Sequence, residues 1–330
     1  MILVSSQDSP TRMCHAPTLA ETPSGLVTAW FGDRKMIPPA CGIWLMRLVA
    51  GCWSAPVEIV AGTSHDERRI SCWNPVLFRP EGGPLLLFYK VGRSVTLWQG
   101  WLTMSDDDGQ TWTTPWPLGS GPEGVLIGPS KNKPLALTDG TLVCPSSTEY
   151  DNVWRVHMEY SRDLRHWQRS ASIEDPLGLG AIQPCLFLLS DGTILALCRT
   201  RRGIIARSLS DDGGQTWSAL EATTLPNPNS GIDGITLHDG RLLLAYNDSS
   251  KHRTPLVLAV SQDQGAYWRK VHTLTKQPQA CTYPAIIQSA NGLVHIAYSV
   301  SQQGIDYAAI DLQECSTVQC SDRSTNHNGF

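Results

Sequence analysis

The sequence is poor in charge and never concentrates it. Only 17 % of its 330 residues are Asp, Glu, Lys or Arg, the formal net charge is −4, and no block of Lys and Arg occurs. A nucleic-acid or anionic-membrane partner needs a basic footprint, so neither is expected. No apolar stretch approaches the roughly 18 residues that span a bilayer. The segment Met1–Ser9 has no basic region followed by a long apolar run, so no signal peptide is expected, and the expected location is the cytoplasm. None of the ten cysteines stands in a C-x-x-C pair, so no metal and no cofactor are expected. Cys144, Cys185 and Cys198 lie in apolar strand patterns, where a thiol behaves as a small hydrophobe. Cys315 and Cys320, near the tail, could pair if the protein were secreted.

What the sequence has instead is turn formers and tryptophan: 28 glycines, 22 prolines and 12 tryptophans. Such a chain reads as all-β with short strands. Six hairpins share one pattern of apolar strand, glycine-ended turn and second apolar strand. They are Pro17–Phe31, Pro75–Tyr89, Pro134–Pro145, Pro184–Cys198, Gly234–Tyr246 and Pro284–Tyr298. Turns such as Asp139-Gly140, Asp191-Gly192, Asp239-Gly240 and Asn291-Gly292 supply the left-handed positions of tight hairpins. The residues preceding the six hairpins are 16, 74, 133, 183, 233 and 283, with steps of 58, 59, 50, 50 and 50. That period exceeds one hairpin and fits a four-stranded antiparallel blade, so a six-bladed β-propeller over residues 1–312 is expected. Ile2–Ser5 is strand-like and is expected to supply an outer strand to the last blade, which removes two exposed edges. Residues 313–330 read as a polar tail.

A second signature recurs on the outer hairpins. Ser105–Trp112 and Ser210–Trp217 both match S-x-D-x-G-x-T-W, the Asp-box; Ser261–Trp268 is a looser copy, and Ser161–Trp167 is one residue short. The aspartate caps backbone donors, the glycine takes the left-handed position and the tryptophan packs between strands, so these turns are structural.

Function is expected where the inner strands begin, around one mouth of the channel. His15-Ala16, Asn74, Lys133, Gln183, Asp233 and Tyr283 stand there, a polar group from every blade. The returning strands end at Asp33, Lys90, Glu149, Arg199, Asn247 and Tyr298, with Arg201, Arg202 and Arg253 just beyond. Arginine forks match carboxylates, which makes a carboxylated sugar the natural ligand class. The bland alternative pairs these cations with Asp33, Glu149 and Asp248. Trp30, Trp73 and Trp154 are candidates for sugar stacking or for core. Asn227 and Asn229, in Pro226–Gly231, suit hydroxyl recognition or plain turn chemistry. His65, His157, His166, His252 and His272 lack ligand spacing and are expected to be structural or at the surface.

Cys72-Trp-Asn-Pro75, Lys131-Asn-Lys-Pro134, Pro145-Ser-Ser-Thr-Glu149, Cys198-Arg-Thr200, Leu225–Gly231 and Tyr283-Pro284, together with the Asp-boxes, resemble the sialidase (neuraminidase) superfamily, and within it the bacterial sialidase-like proteins with neuraminidase repeats. The resemblance covers residues 13–312 and implies a sialidase-like propeller. It implies that Arg199 and Arg253 match two of the three carboxylate-binding arginines, and that Tyr283 matches the nucleophile. Three positions depart from the family pattern. His15-Ala-Pro17 replaces the motif of the first arginine, Gln183 replaces the activating glutamate, and Asp33 is all that offers itself for the acid/base aspartate. On this reading Asp33, Asp233, Glu149 or His15 completes proton transfer, and Asn74, Lys90, Lys133, Glu149, Asn227, Asn229 and Arg201 contact the sugar. Three functions stay open: a sialidase-like exo-glycosidase, a uronate-directed lyase or glycosidase in which His15 or Tyr283 removes a proton, and a carbohydrate-binding propeller without catalysis.

Overall fold

The structure is a computed structural model, and it describes residues 2–5, 10–33, 40–61, 70–122, 124–275 and 279–312. Short alternating strands joined by Asp-Gly turns can bury both faces only by stacking sheet on sheet, and they do so as six antiparallel blades around one axis. Blade 1 runs His15–Thr22, Gly25–Asp33, Cys41–Val49, with Cys52–Trp53 and Val57–Ala61 at its outer edge. Blade 2 holds Cys72–Phe78, Leu85–Val91, Gln99–Ser105 and Trp116–Pro117; blade 3 holds Leu135–Ala136, Leu142–Tyr150, Val153–Ser161 and Gln168–Arg169. Blade 4 holds Ala181–Leu188, Ile194–Thr200, Ile204–Ser210 and Glu221–Pro226, and blade 5 holds Asp233–Thr236, Leu242–Asn247, Leu256–Ser261 and Arg269–Thr275. Blade 6 joins Cys281–Gln288, Val294–Val300 and Gly304–Ile310 to Ile2–Ser5, whose antiparallel pairing with Gly304–Asp306 closes the ring as the sequence pattern anticipates.

The core lies between blades. Phe187, Leu197, Leu244 and Val257 fill the joint of blades 4 and 5, and Leu243, Leu258, Ile286 and Ile296 that of blades 5 and 6. Cys144, Cys185 and Cys198 are buried there as free thiols, and burial raises each of them. Cys315 and Cys320 lie outside the described residues, as does His65.

The Asp-box turns sit on the outer hairpins. In Ser105–Trp112, Asp107 accepts the amides of Gln110 and Thr111 at 3.1 and 2.8 Å, Ser105 Oγ accepts the Gly109 amide at 2.7 Å, and Gly109 is left-handed at φ +83°. Asp212 and Asp263 repeat the capping. In the short copy Leu164 takes the glycine's place at φ +62°, which is why that box lacks a residue yet still turns.

Candidate active site

Four inner strands carry, within their first three residues, a left-handed residue that is not glycine and that directly precedes proline: Ala16 (φ +50°), Asn74 (+41°), Gln183 (+53°) and Tyr283 (+53°). At each the ladder shifts register, between His15 and Thr18, Trp73 and Val76, Ile182 and Cys185, and Thr282 and Ala285. These are β-bulges, which re-aim a side chain and store strain at functional sites. Each left-handed residue or its proline is tied by a side chain from elsewhere. The Ala16 amide donates to Ser299 Oγ at 3.0 Å, and Gln183 N–H donates to Ser147 Oγ at 3.2 Å. Asn132 Nδ2 donates to the Gln183 and Pro184 carbonyls at 3.1 and 2.9 Å. Lys131 Nζ donates to the Pro284 carbonyl, and Lys90 Nζ to the Asn74 carbonyl at 3.4 Å, while Asn74 Nδ2 itself donates to the Ser130 carbonyl at 3.1 Å.

The centre of the mouth is Arg199, 6 % exposed at the end of its strand. Its Nε and Nη2 donate to Asn229 Oδ1 at 3.0 and 2.7 Å, and its Nη1 donates to Gln183 Oε1 at 3.1 Å and to the Tyr283 hydroxyl at 2.7 Å. Arg253 Nη2 donates to the Asn229 carbonyl at 3.0 Å, which brings both guanidiniums to one residue. Burial, followed by Tyr283 pulling up and Arg199 pushing down, leaves Arg253 lowered. Among the described residues neither guanidinium binds a carboxylate; Asp248 pairs with Lys270 at 2.8 Å, and Asp33 accepts the Met13 amide at 2.8 Å. His15 packs against Tyr283 with ring centroids 4.4 Å apart and planes tilted by 53°, and it shares a 2.9 Å hydrogen bond with Ser299 Oγ through Nδ1. Burial first, then Arg253, Arg199 and Lys131, pushes its imidazole down to about 3, so it is neutral near pH 7. Glu149 stands across from Trp154 on the hairpin that overhangs the site. Burial pushes its carboxyl up, against the pull of Arg199 and Arg201. Trp154 is the platform for both cations, with Arg201 3.8 Å and Arg199 5.5 Å from its ring centroid. Beside them a cleft of about 390 Å³, lined by Leu97, Trp98, Ser147, Glu149 and Gln183, opens between blades 2 and 3.

The geometry thus gathers His15, Gln183, Arg199, Asn229, Arg253 and Tyr283, with Glu149 and Arg201 at the rim, and it corrects other expectations. Lys90 is fully buried; its ammonium donates to the Pro129 carbonyl and, at 3.4 Å, to that of Asn74, so it supports the mouth from beneath and cannot touch a ligand. Lys133 does not face the mouth. It grips both oxygens of Asp233 at 2.9 and 2.8 Å, and it lines a cavity of about 570 Å³ that opens at the opposite end of the channel. Asp233 also accepts the Gly234 and Ile286 amides, both at 2.9 Å, so its carboxylate is spent and is no free base. Asp33 is occupied as a cap for Met13. Asn227 is buried and closes its own loop on Ser230, which makes it turn chemistry. Trp30 is core with 0 % exposure. His157 is structural, buried against Glu159 at 3.0 Å; His166 is at the surface, against Asp163.

Sequence reasoning missed Lys131, Asn132, Ser147 and Ser299, all of which act on the strained positions. The signal that could have found Lys131, Asn132 and Ser147 is their place in stretches that carry the family resemblance; Ser299 had only its polarity in an apolar strand. Among the described residues no group of three or more His, Cys, Asp and Glu could hold a metal, and no helix is long and apolar enough to cross a membrane.

A six-bladed propeller with a cationic, strained mouth defines a sialidase-like protein at the level of fold. The BNR repeat-like domain family matches residues 24–296, and the chain belongs to that family. Solved structures agree on the architecture. A microbial sialidase, Hz136, described as Hadza, superimposes with a TM-score of 0.82 at 19 % identity, covering 95 % of this chain and 68 % of that one. NanB sialidase from Streptococcus pneumoniae gives 0.76 at 14 % identity, covering 95 % and 70 %. The intramolecular trans-sialidase of Ruminococcus gnavus gives 0.73 at 13 % identity, covering 93 % and 96 %. No curated protein matches the sequence.

Proposed function

We propose that the chain is a glycoside hydrolase that removes a terminal carboxylated sugar, sialic acid or a relative, from a glycan. One observation carries this reading: Arg199 and Arg253 converge on Asn229 beside Tyr283, and the partners they have are amide oxygens and a phenol rather than acids. Two guanidiniums left without a counter-charge in a half-closed mouth are a standing invitation to a carboxylate.

In this reading the sugar carboxylate binds the two arginines, and Tyr283 attacks the anomeric carbon. A neutral phenol approaches an anionic sugar without the repulsion a carboxylate would meet. The Arg199 Nη1 contact stabilises the phenolate as it forms. Gln183 holds Arg199 and takes no proton, since its amide is not basic. His15, whose ring lies against that of Tyr283, is the acceptor for the phenol proton: burial first, then Arg253, Arg199 and Lys131, hold the imidazole down in the empty site, and a bound carboxylate offsets the cationic part of that depression. Glu149 donates a proton to the leaving oxygen, because its raised carboxyl keeps its proton longer and it lines the cleft through which the leaving group departs.

A second reading, elimination from a uronate, is favoured by one fact: among the described residues no carboxylate touches the Tyr283 hydroxyl, which accepts from Arg199 Nη1. An arginine-stabilised phenolate beside a neutralised uronate carboxylate is the arrangement that proton abstraction needs. A fluorogenic sialoside assay run beside absorbance detection of unsaturated uronate separates the two. Released fluorophore supports hydrolysis, and new absorbance alone supports elimination. Retention on an immobilised acidic glycan without either product makes the chain a binding propeller. Failure of all three ends the acid-sugar reading.

A further inference from the structure

The run Lys131-Asn132-Lys133 sends three successive side chains to three other blades. Lys131 Nζ crosses from blade 3 to the carbonyls of Ile232 (2.9 Å) and Pro284, where blades 5 and 6 begin, and takes Asn132 Oδ1 at 2.9 Å as its third acceptor. Asn132 reaches blade 4 at Gln183 and Pro184, and Lys133 reaches blade 5 at Asp233. Lys131 is 6 % exposed, and each of its three acceptors is neutral. Its stem also walls the mouth: a Cβ built on Gly231 would lie 3.2 Å from Lys131 Cε and 3.3 Å from Tyr283 Cγ. The ammonium is therefore beneath the left-handed Tyr283 and beside the loop that presents Asn229.

We infer that Lys131-Asn132-Lys133 is an axial clasp that presets the mouth, and that Lys131 is a positioning residue which also supplies the mouth with a third positive charge. Lys131 and Asn132, both buried, hold the strained backbone at Gln183–Pro184 and Tyr283–Pro284. The ammonium lies against the Pro284 carbonyl behind Tyr283 with only neutral acceptors, so its charge faces the mouth, where it joins burial, Arg253 and Arg199 in lowering His15; burial lowers Lys131 itself to about 8, and Asp233, Lys133, Cys185 and Arg199 are the ionisable groups that act on it. The clasp follows from geometry alone, whereas a role for the charge in affinity rests on the acid-sugar reading above.

Two measurements test the inference. The first is calorimetric binding of N-acetylneuraminic acid and glucuronic acid, each beside its methyl ester. In Lys131→Met the acids weaken at least about tenfold and the esters less than about threefold, since only the acids feel the lost charge. In Lys133→Met the thermal midpoint falls while the preference for acid over ester stays. A structural role alone for Lys131 would weaken acid and ester equally, and that result overturns the charge assignment. The second is ¹⁵N NMR titration of His15 in the protein without ligand. Its midpoint rises in Lys131→Met and does not move in Lys133→Met; an unmoved midpoint in both overturns the inference. Should the methionine variant fail to fold, Lys131→Gln, which keeps an N–H donor without charge, carries both measurements. If the wild type shows no preference for acid over ester, the acid-sugar reading falls, and the His15 titration alone then decides whether the charge of Lys131 reaches the mouth.

Discussion

Blades 1, 2, 4 and 6 begin differently from blades 3 and 5. The first four bend through a left-handed residue before proline; the bulges bring Gln183 and Tyr283 to the mouth with His15 beside Ala16, while Asn74 is turned to the Ser130 carbonyl. Blades 3 and 5 have no such residue at Lys133 and Asp233, and these two close on each other across the axis. A left-handed non-glycine residue costs on the order of 1–2 kcal/mol, so four of them persist only because other groups hold them. The comparison teaches that the ring divides its labour. The bent starts aim chemistry outward, and the straight starts plug the channel and anchor the bent ones.

The sharpest break in that comparison comes from Tyr283→Phe. The backbone bend and the ring remain, so acid-sugar affinity should stay within about threefold, while turnover should fall by roughly 10³-fold or more. Full activity would remove tyrosine from the reaction and leave the bulge as architecture. Next in size is Arg199→Ala, which deletes four hydrogen bonds at the mouth and half of the carboxylate clamp. Affinity should drop roughly 100-fold, as expected for charge-assisted bonds, with the far-ultraviolet circular dichroism unchanged. An unaltered dissociation constant would deny the anion site.

On the straight starts the expected effects are on stability. Asp233→Asn weakens the grip on Lys133 and removes an acceptor from the Gly234 or Ile286 amide. Denaturant unfolding should show a loss of about 2–3 kcal/mol, larger than any loss from Tyr283→Phe; equal losses would mean that the two kinds of start are not distinct. The support beneath the mouth has a pH signature. Burial pushes Lys90 down to about 7, against Glu159 and Cys144, which pull it up. Between that value and its ordinary one near 10.5, the unfolded chain carries a proton that the folded chain has shed. The contribution of Lys90 to stability therefore rises with pH through this window. Unfolding at pH 6.5 and 8.5 should show a smaller rise in Lys90→Met than in the wild type, and parallel slopes would place the titration elsewhere.

The architecture was legible because it repeats: six glycine-ended turns at near-constant spacing, four of them Asp-Gly or Asn-Gly, and Asp-boxes at the outer corners, are local signals that local chemistry enforces. That Arg199, Arg253 and Tyr283 are neighbours was legible because inner strands start and returning strands end at one mouth: Tyr283 stands at a start, Arg199 at an end and Arg253 in the loop beyond another end. What misled was the assumption that every polar group near the start of an inner strand faces the same way. Lys133 and Tyr283 stand at equivalent positions 150 residues apart, but only Tyr283 is on a bulge, and a bulge reverses where a side chain points. Lys90 and Lys131 were unreadable for another reason. Nothing in a sequence says that an ammonium can be sealed in, because its cost is met by carbonyls that only the closed ring brings together.

The smallest effect expected is also the most local. Gly231 has an ordinary backbone conformation but no room: an added methyl would touch Lys131 Cε at 3.2 Å and the Tyr283 ring at 3.3 and 3.4 Å. Gly231→Ala therefore sets two terms against each other. Restricting the unfolded chain stabilises by about 0.4–1 kcal/mol, and the few tenths of an ångström of displacement take much of that back. Net stability should shift by less than about 1 kcal/mol. The displacement falls on Tyr283, which Lys131 and Arg199 hold from two sides, so acid-sugar affinity should weaken about three- to tenfold. A variant that is more stable and binds as before would mean that the mouth yields freely, and the strained starts would then be no more rigid than the straight ones.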